Sequence, residues 1–290
     1  MYKEVSFDPS CMGSMEYYGL LKQHFGHDHG RYISADVKAW AKEAMQYVKQ
    51  SALQPVKQKS IKNYLNKLVI SRNHDEFHLA SDRRGIDHDI WINWHNLQIS
   101  VRPFSFAVSE SQAINCIGID HINDGCDVWN LSRSISVDRN AVAIIDALMP
   151  LIEISNTITI IDQFFRLTKN DTISQLFTRL ENSQITSIRV VTSMDSPNAL
   201  QIYTREYQPE NVKGISLSWI KAPDKFFHDR YFITDVGAVR SGHGFMPEVQ
   251  KGIHADKANL NIIGKEEAGR TLSDLDALFE RQQAVEIFRI

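Results

Sequence analysis

Apolar residues at Val37, Trp40, Ala41, Ala44, Tyr47 and Val48 recur at three-four spacing across Ser34 to Gln50, which predicts an amphipathic helix. Ser34 and Asp36 offer the side-chain oxygens that start one. A second helix is predicted from Ser60 to about Val69, with Ile61, Tyr64, Leu65 and Leu68 on one face and Lys57, Lys59, Lys62, Lys67 and Arg72 around the rest. The period then changes. Ile90, Ile92 and Trp94 alternate with polar residues, as do Leu97, Ile99 and Val101, and His95-Asn96 lies between, which reads as a β-hairpin.

A strand-like stretch at Ile117 to Ile119 runs into a polar, turn-rich segment, His121 to Asp127. A domain boundary is expected near Ser136, because Asn140 to Ile154 has a helical pattern and leads into the apolar strand that starts at Ile158. From there the elements alternate: strand 158–165, helix 171–182, strand 187–193, a helix at 197–206, strand 214–221, paired strands 227–236 and 238–245, and a closing helix around Leu272, Leu275, Leu278 and Phe279. Alternation of this kind predicts an α/β layer with a mixed sheet. The expected organisation is an α+β domain of unknown type over residues 1–136 and an α/β domain over 137–290.

Composition narrows the class without naming it. A chain of 290 residues that is 43% hydrophobic and 23% charged is ordinary globular material, which excludes disorder, collagen-like repeats and coiled coil. No apolar run reaches the ~20 residues of a membrane span and the first residues show no signal-peptide core, so a cytoplasmic protein is expected. Cys11, Cys116 and Cys126 form no paired motif and are expected as free thiols. A net charge of −3 gives no bulk attraction to nucleic acid, although a local basic face can form on such a chain.

The chemistry concentrates in His228-Asp229-Arg230-Tyr231-Phe232-Ile233-Thr234-Asp235, followed by Gly242-His243-Gly244-Phe245. On a strand, residues i and i+2 share a face, so His228 and Arg230 are expected side by side with Asp229 pointing away. An imidazole beside a guanidinium, followed by a glycine-framed turn, is a layout suited to phosphate.

These residues resemble the signature of the phospholipase D superfamily, His-x-Lys, four residues, Asp, six residues, then Gly-Ser-x-Asn. Here Arg230 stands for the Lys and Gly242-His243-Gly244-Phe245 for the last element. The phospholipase D-like C-terminal domain of MIT-domain proteins is more similar still, with its His-Asp-Arg strand, its Gly-Arg-Gly-Leu segment, its Ile-rich strand ending in Asp-Pro-Tyr and its Thr-Ser strand end. Those last two look like Ile158 to Phe165 and Val191 to Asp195. The likeness covers the C-terminal half.

The resemblance implies a phospholipase D-like mixed-sheet domain in which one His attacks phosphorus and a second, from another motif, protonates the leaving oxygen. This chain supplies one motif, so activity implies a homodimer or a partner subunit. His228, Arg230 and Asp235 are the catalytic candidates, with Asp235 expected to hold Arg230, and Arg230, Gly242, His243 and Gly244 the phosphate-binding ones. Arg in place of Lys favours binding over turnover, because the fork is wider and always charged. The plainer alternative is a twisted β-hairpin in which Arg230 and Asp235 form a buried pair.

In the N-terminal half Lys57, Lys59, Lys62, Arg83 and Arg84 are candidate backbone contacts for a nucleic acid. Arg102 joins that basic set. Trp91 is the candidate base-stacking residue, being out of phase with Ile90 and Ile92, whereas Tyr64 is expected in the core. His74 and His78 stand at i and i+4, which on a helix could share a metal, but Asp75 rather than Glu follows the first and no third ligand is indicated. His24, His27 and His29 lie beside Gly26 and Gly30 with equally weak metal specificity, and no metal or cofactor is expected. Two functions follow: a protein that binds or cleaves nucleic acid, in the bacterial defence setting that the resemblance implies, or a non-catalytic interaction or dimerisation subunit of a larger complex.

Overall fold

A computed structural model describes residues 1–71, 74–111, 115–181, 183–208, 214–247 and 256–290; Arg72, expected among the basic residues, lies outside them. The chain is α/β and divides into two units, Tyr2–Leu131 and Ser132–Ile290. Among the described residues no helix is long and apolar enough to cross a membrane.

The first unit is built on four parallel strands, β1 (Lys3–Phe7), β2 (Arg31–Ile33), β3 (Phe106–Val108) and β4 (Cys116–Ile117), in the order β2-β1-β3-β4. Parallel neighbours need crossover connections, and here helices supply most of them. They are α1 (Met15–His24), α2 (Val37–Gln50), α3 (Pro55–Ile70) and α4 (Trp91–Val101), with a short α5 (Ile119–Asn123) after β4. Alternation along β1 sorts the two faces. Val5 and Phe7 join Leu21, Trp40, Leu65 and Val108 in one core, while Ser6 takes hydrogen bonds on the other side from Trp91 Nε1 at 3.1 Å and meets His95 Nδ1 at 2.9 Å.

α2 starts where Asp36 accepts a hydrogen bond from the Ala39 N–H at 2.9 Å, so Asp36 rather than Ser34 is the cap. α3 begins at Pro55, five residues before the predicted start at Ser60, because proline suits the first helical position, where its missing N–H would have had no partner and its φ is already helical.

The expected hairpin at residues 90–101 is instead the helix α4. Trp91, Trp94, His95 and Gln98 are its buried face at i, i+3, i+4 and i+7, whereas Ile92, Leu97, Ile99 and Val101 are exposed. An apolar outer face mimicked a two-residue period, and the buried polar pair His95 and Gln98 hid the helical one.

The second unit carries an eight-stranded mixed sheet, ordered β12-β8-β7-β6-β9-β10-β11-β5. Its strands are β5 (Ser134–Asp138), β6 (Thr157–Ile161), β7 (Ser187–Thr192), β8 (Ser216–Lys221), β9 (Arg230–Thr234), β10 (Ala238–Ser241), β11 (Lys257–Ile262) and β12 (Val285–Arg289). β6, β7 and β8 run parallel and are connected through α7 (Asp171–Leu180) and α8 (Ala199–Glu206). The remaining pairings, β9 against β6 among them, are antiparallel. α6 (Ala141–Ile152) leads into β6, and α9 (Lys265–Glu280) lies between β11 and β12.

Ile161, Val191, Ile220 and Ile233 pack with Leu275 and Leu278 of α9 in one apolar cluster. Trp219, next to Ile220 and so on the opposite face, stacks on Phe288 at 6.4 Å and meets Phe165 at 6.3 Å.

Candidate functional site

The residue that organises this region is Asp162, directly after β6. The β6–β9 ladder pairs Ile161 with Tyr231, so the next residue out is level with Arg230. Asp162 is only 2% exposed, and its carboxylate accepts hydrogen bonds from the backbone N–H groups of Phe164 at 3.0 Å and Phe245 at 2.8 Å. Burial raises its pKa above the usual carboxylate range, and those two N–H groups, then Arg230 and Arg139, oppose the rise.

The loop after β10 closes onto this carboxylate. Gly244 has φ of +80°, and a Cβ there would overlap Asp162 Oδ2 and stand 3.1 Å from its Cγ, so only glycine lets the backbone approach. Ser241 Oγ donates to the Gly244 carbonyl at 2.9 Å and Thr172 Oγ1 to the Phe245 carbonyl at 2.7 Å, which fixes the turn from both sides.

Two guanidinium groups flank it. Arg230, the first residue of β9, donates from Nη1 to the Gly242 carbonyl at 3.1 Å and lies 5.5 Å from the Phe164 ring centroid. Arg139, just past β5, donates to the carbonyls of His243 at 3.1 Å and Met246 at 3.4 Å, and its Nη1 is buried with no partner among the described residues. Among the described residues neither arginine has a carboxylate within ion-pair distance. The β9–β10 ladder ends at the pair Arg230 and Ser241, and the segments leaving it carry His228 and His243, both exposed.

Three expectations about this motif change. His228 precedes β9 rather than lying in it, so no strand fixes it beside Arg230, and it makes no hydrogen bond or ion pair among the described residues. Asp235 sits beyond the opposite end of β9 and accepts from Asn156 N at 2.8 Å, Asn156 Nδ2 at 2.9 Å and Thr157 N at 3.0 Å. It therefore ties β9 to the start of β6 and does not hold Arg230, which removes the buried Arg230–Asp235 pair as well. Asp229 does leave in another direction, lying 3.8 Å from Arg240 Nη1.

In the first unit the candidate nucleic-acid residues separate. Lys57, Lys59 and Arg84 are exposed, and Lys62 bonds to Gln58 Oε1 at 2.9 Å. Arg83 is wholly buried, paired with Glu4 at 2.7 and 2.8 Å and donating to the Gln98 and Arg102 carbonyls, while Arg102 pairs with Glu4 and Asp82. Trp91 is 3% exposed and stacks on His95 with centroids 4.9 Å apart. Neither Arg83 nor Trp91 can reach a ligand: the helix that replaced the hairpin turns Trp91 inward, and Glu4 draws Arg83 in. Tyr64 packs edge-on against Tyr18 at 5.6 Å. His74 and His78 lie outside any helix, so their i, i+4 geometry is not formed.

Sequence reasoning missed the roles of Asp162 and Arg139. The polar break after Thr-Ile-Thr-Ile-Ile was a usable signal for Asp162, since it ends a buried strand run; nothing local pointed to Arg139, which arrives through the pairing of β5 with the distant β11.

No family model matches this chain, and no curated protein matches it. Among solved structures it is similar to Nuc, a phospholipase D family member from Salmonella typhimurium, at 15% identity over 53% of this chain and 96% of that one, with a TM-score of 0.33. It is also similar to TrmBL2, an archaeal chromatin protein described as showing a novel mode of DNA binding, at 9% identity over 92% of this chain and 99% of that one, with a TM-score of 0.32.

Proposed function

We propose that this chain is a phosphodiester-binding protein whose second unit holds a phosphate of a nucleic-acid backbone between Arg230 and Arg139, with His228 and His243 at the rim. The observation that carries the reading is two guanidinium groups that, among the described residues, have no carboxylate partner and, in Arg139, a buried Nη1 with no acceptor, beside a glycine-shaped loop. A buried donor without a partner costs about 1–3 kcal/mol, and a phosphate oxygen would remove that cost.

Binding is favoured over turnover. Arg230 is a fork for phosphate rather than the family's compact ammonium, and Asp235, which would orient the motif, is engaged at the far end of β9. The phospholipase D-like and MIT-type likeness rests on the order of segments in the sequence. On that likeness the chain works as a homodimer or with a protein partner, in bacterial antiviral defence.

The test is fluorescence anisotropy with labelled single- and double-stranded DNA, at matched fold stability. Arg230→Ala should weaken binding about tenfold or more and the exposed Lys67→Ala about twofold or less, because only the first removes a partly desolvated contact. Equal losses would dismiss the site. His228→Ala should leave affinity unchanged, and strong His228-dependent cleavage by the wild type would overturn the binding-only reading.

A further inference from the structure

The first unit has its own unassigned polar groove, of about 420 Å³, lined by Lys38, Lys42, Glu43, Gln46 and Tyr47 of α2 and by His88 just before α4. Its place in the fold is informative. In the order β2-β1-β3-β4 the connection leaving β1 goes to one side of it, and the one leaving β2 arrives on the other. Such a reversal opens a crevice at the carboxyl ends of parallel strands, where small ligands bind in open α/β sheets. The helix that lines the groove lies at those ends: three residues separate β2 from α2, and Trp40 Nε1 donates to the Phe7 carbonyl at the end of β1.

The groups in the groove divide into engaged and unengaged. Asp36 caps α2, and Asp89 accepts from Ile90 N at 2.5 Å and Asn93 at 3.2 Å. Glu43 meets His88 Nε2 at 2.6 Å and accepts from the Trp91 N–H at 3.0 and 3.2 Å. A carboxylate only accepts, so in the neutral imidazole Nε2 carries the proton and Nδ1 is an acceptor. The His88 side chain is 2% exposed, and Nδ1 is buried with no hydrogen-bond partner among the described residues.

Lys38 and Lys42, exposed and one helical turn apart, form no ion pair or hydrogen bond among the described residues. Like charges at that spacing disfavour the helix by a few tenths of a kcal/mol, which an anion between them would relieve. Among the described residues the unengaged groups include two ammonium groups and, in the neutral imidazole, one ring acceptor, beside the Gln46 amide and the Tyr47 hydroxyl. They fit an anion that also carries a donor.

We propose that this groove binds a small phosphorylated molecule, its phosphate between Lys38 and Lys42 and one of its N–H or O–H groups donated to His88 Nδ1. The volume falls within the roughly 300–1,000 Å³ of small-molecule sites and admits a ligand of nucleoside monophosphate size.

The test uses the full chain carrying Arg230→Ala, so that phosphate binding in the second unit is removed, with inorganic phosphate and AMP as probes. AMP should slow acetylation of Lys38 and Lys42 severalfold but not of Lys49 on the same helix, and should shift the ¹⁵N resonance of His88 Nδ1. Replacing both lysines with Ala, at exposed positions that leave folding intact, should weaken AMP about tenfold in calorimetry. The proposal fails if neither probe protects the two lysines up to about 10 mM, or if Lys49 is protected equally.

Discussion

Replacing Gly244 with Ala perturbs the candidate site at its most constrained point. Two costs follow from the structure. A non-glycine residue at φ +80° costs about 1–2 kcal/mol. The new Cβ also overlaps Asp162 Oδ2, the atom that accepts from Phe245 N, so either the carboxylate or the loop must move. The carboxylate is buried and held by two backbone N–H groups, and loosening one hydrogen bond to a charged group costs about 1.5–3 kcal/mol. The combined loss is about 3–5 kcal/mol. Gly242 supplies the control, since a Cβ there meets nothing within 4 Å, and Gly242→Ala should stay within about 0.5 kcal/mol.

The assay is urea unfolding of both variants, combined with hydrogen exchange at the Phe245 amide. With a slope of about 1–3 kcal/mol per M, Gly244→Ala should lower the midpoint of the second unit by about 1–5 M and strip the Phe245 amide of protection. DNA affinity should fall with it, because Arg139 is anchored on the His243 and Met246 carbonyls of the same loop. Equal midpoints for the two variants, or an unchanged Phe245 amide, would refute the view that Asp162 and Gly244 hold the loop.

Further outcomes follow from other contacts. Arg83→Ala should destabilise the first unit by about 3–5 kcal/mol, by leaving Glu4 buried with one partner fewer, yet leave DNA affinity per folded molecule unchanged in anisotropy. Asp235→Ala should cost about 1–3 kcal/mol in urea unfolding through its three hydrogen bonds, with no change in DNA affinity; a matching loss of affinity would return Asp235 to the site. Asp162 has a raised pKa, so its contribution to stability is fully present below the ordinary carboxylate range and is lost as pH rises through the raised value. Phosphate-ligand affinity should likewise increase as pH falls and the carboxyl neutralises; Asp162→Asn should flatten both profiles, and a parallel profile would contradict the assignment.

What was legible in the sequence depended on whether one face of an element was purely polar. α2 and α7 show a clean contrast between faces, and the alternation after Ile158 yielded the order of strands and helices from β6 to β10. α4 defeated the same reasoning because its outer face is apolar and its inner face carries His95 and Gln98. The short strands β1, β2 and β3 were not anticipated, since β2 and β3 have three residues each and no period can be read from so few. At the candidate site, local spacing singled out Arg230 and the Gly242–Gly244 turn, which the structure brings together, but it assigned Asp235 by analogy with a motif rather than by position along β9. With Arg230 at one end of a five-residue strand and Asp235 past the other, about 3.3 Å of rise per residue sets them some 16 Å apart along the strand.

The change of strand direction between β6 and β9 explains why the chemistry gathers where it does. On one side of β6 the chain leaves through Asp162 toward α7 and the parallel strand β7; on the other, β9 starts at the same level with Arg230 and runs the opposite way. The outgoing and incoming segments diverge, and backbone groups that would otherwise continue a ladder are left to find other partners. Asp162 takes two of them, the Phe164 and Phe245 N–H groups, while Arg230 and Arg139 take the carbonyls of Gly242, His243 and Met246. The carboxylate is therefore a structural anchor, and among the described residues the two guanidinium groups pair with backbone carbonyls and with no carboxylate. On the proposed reading, a ligand would meet cations held by the backbone carbonyls of Gly242, His243 and Met246, and an anion entering here would displace no salt bridge among the described residues.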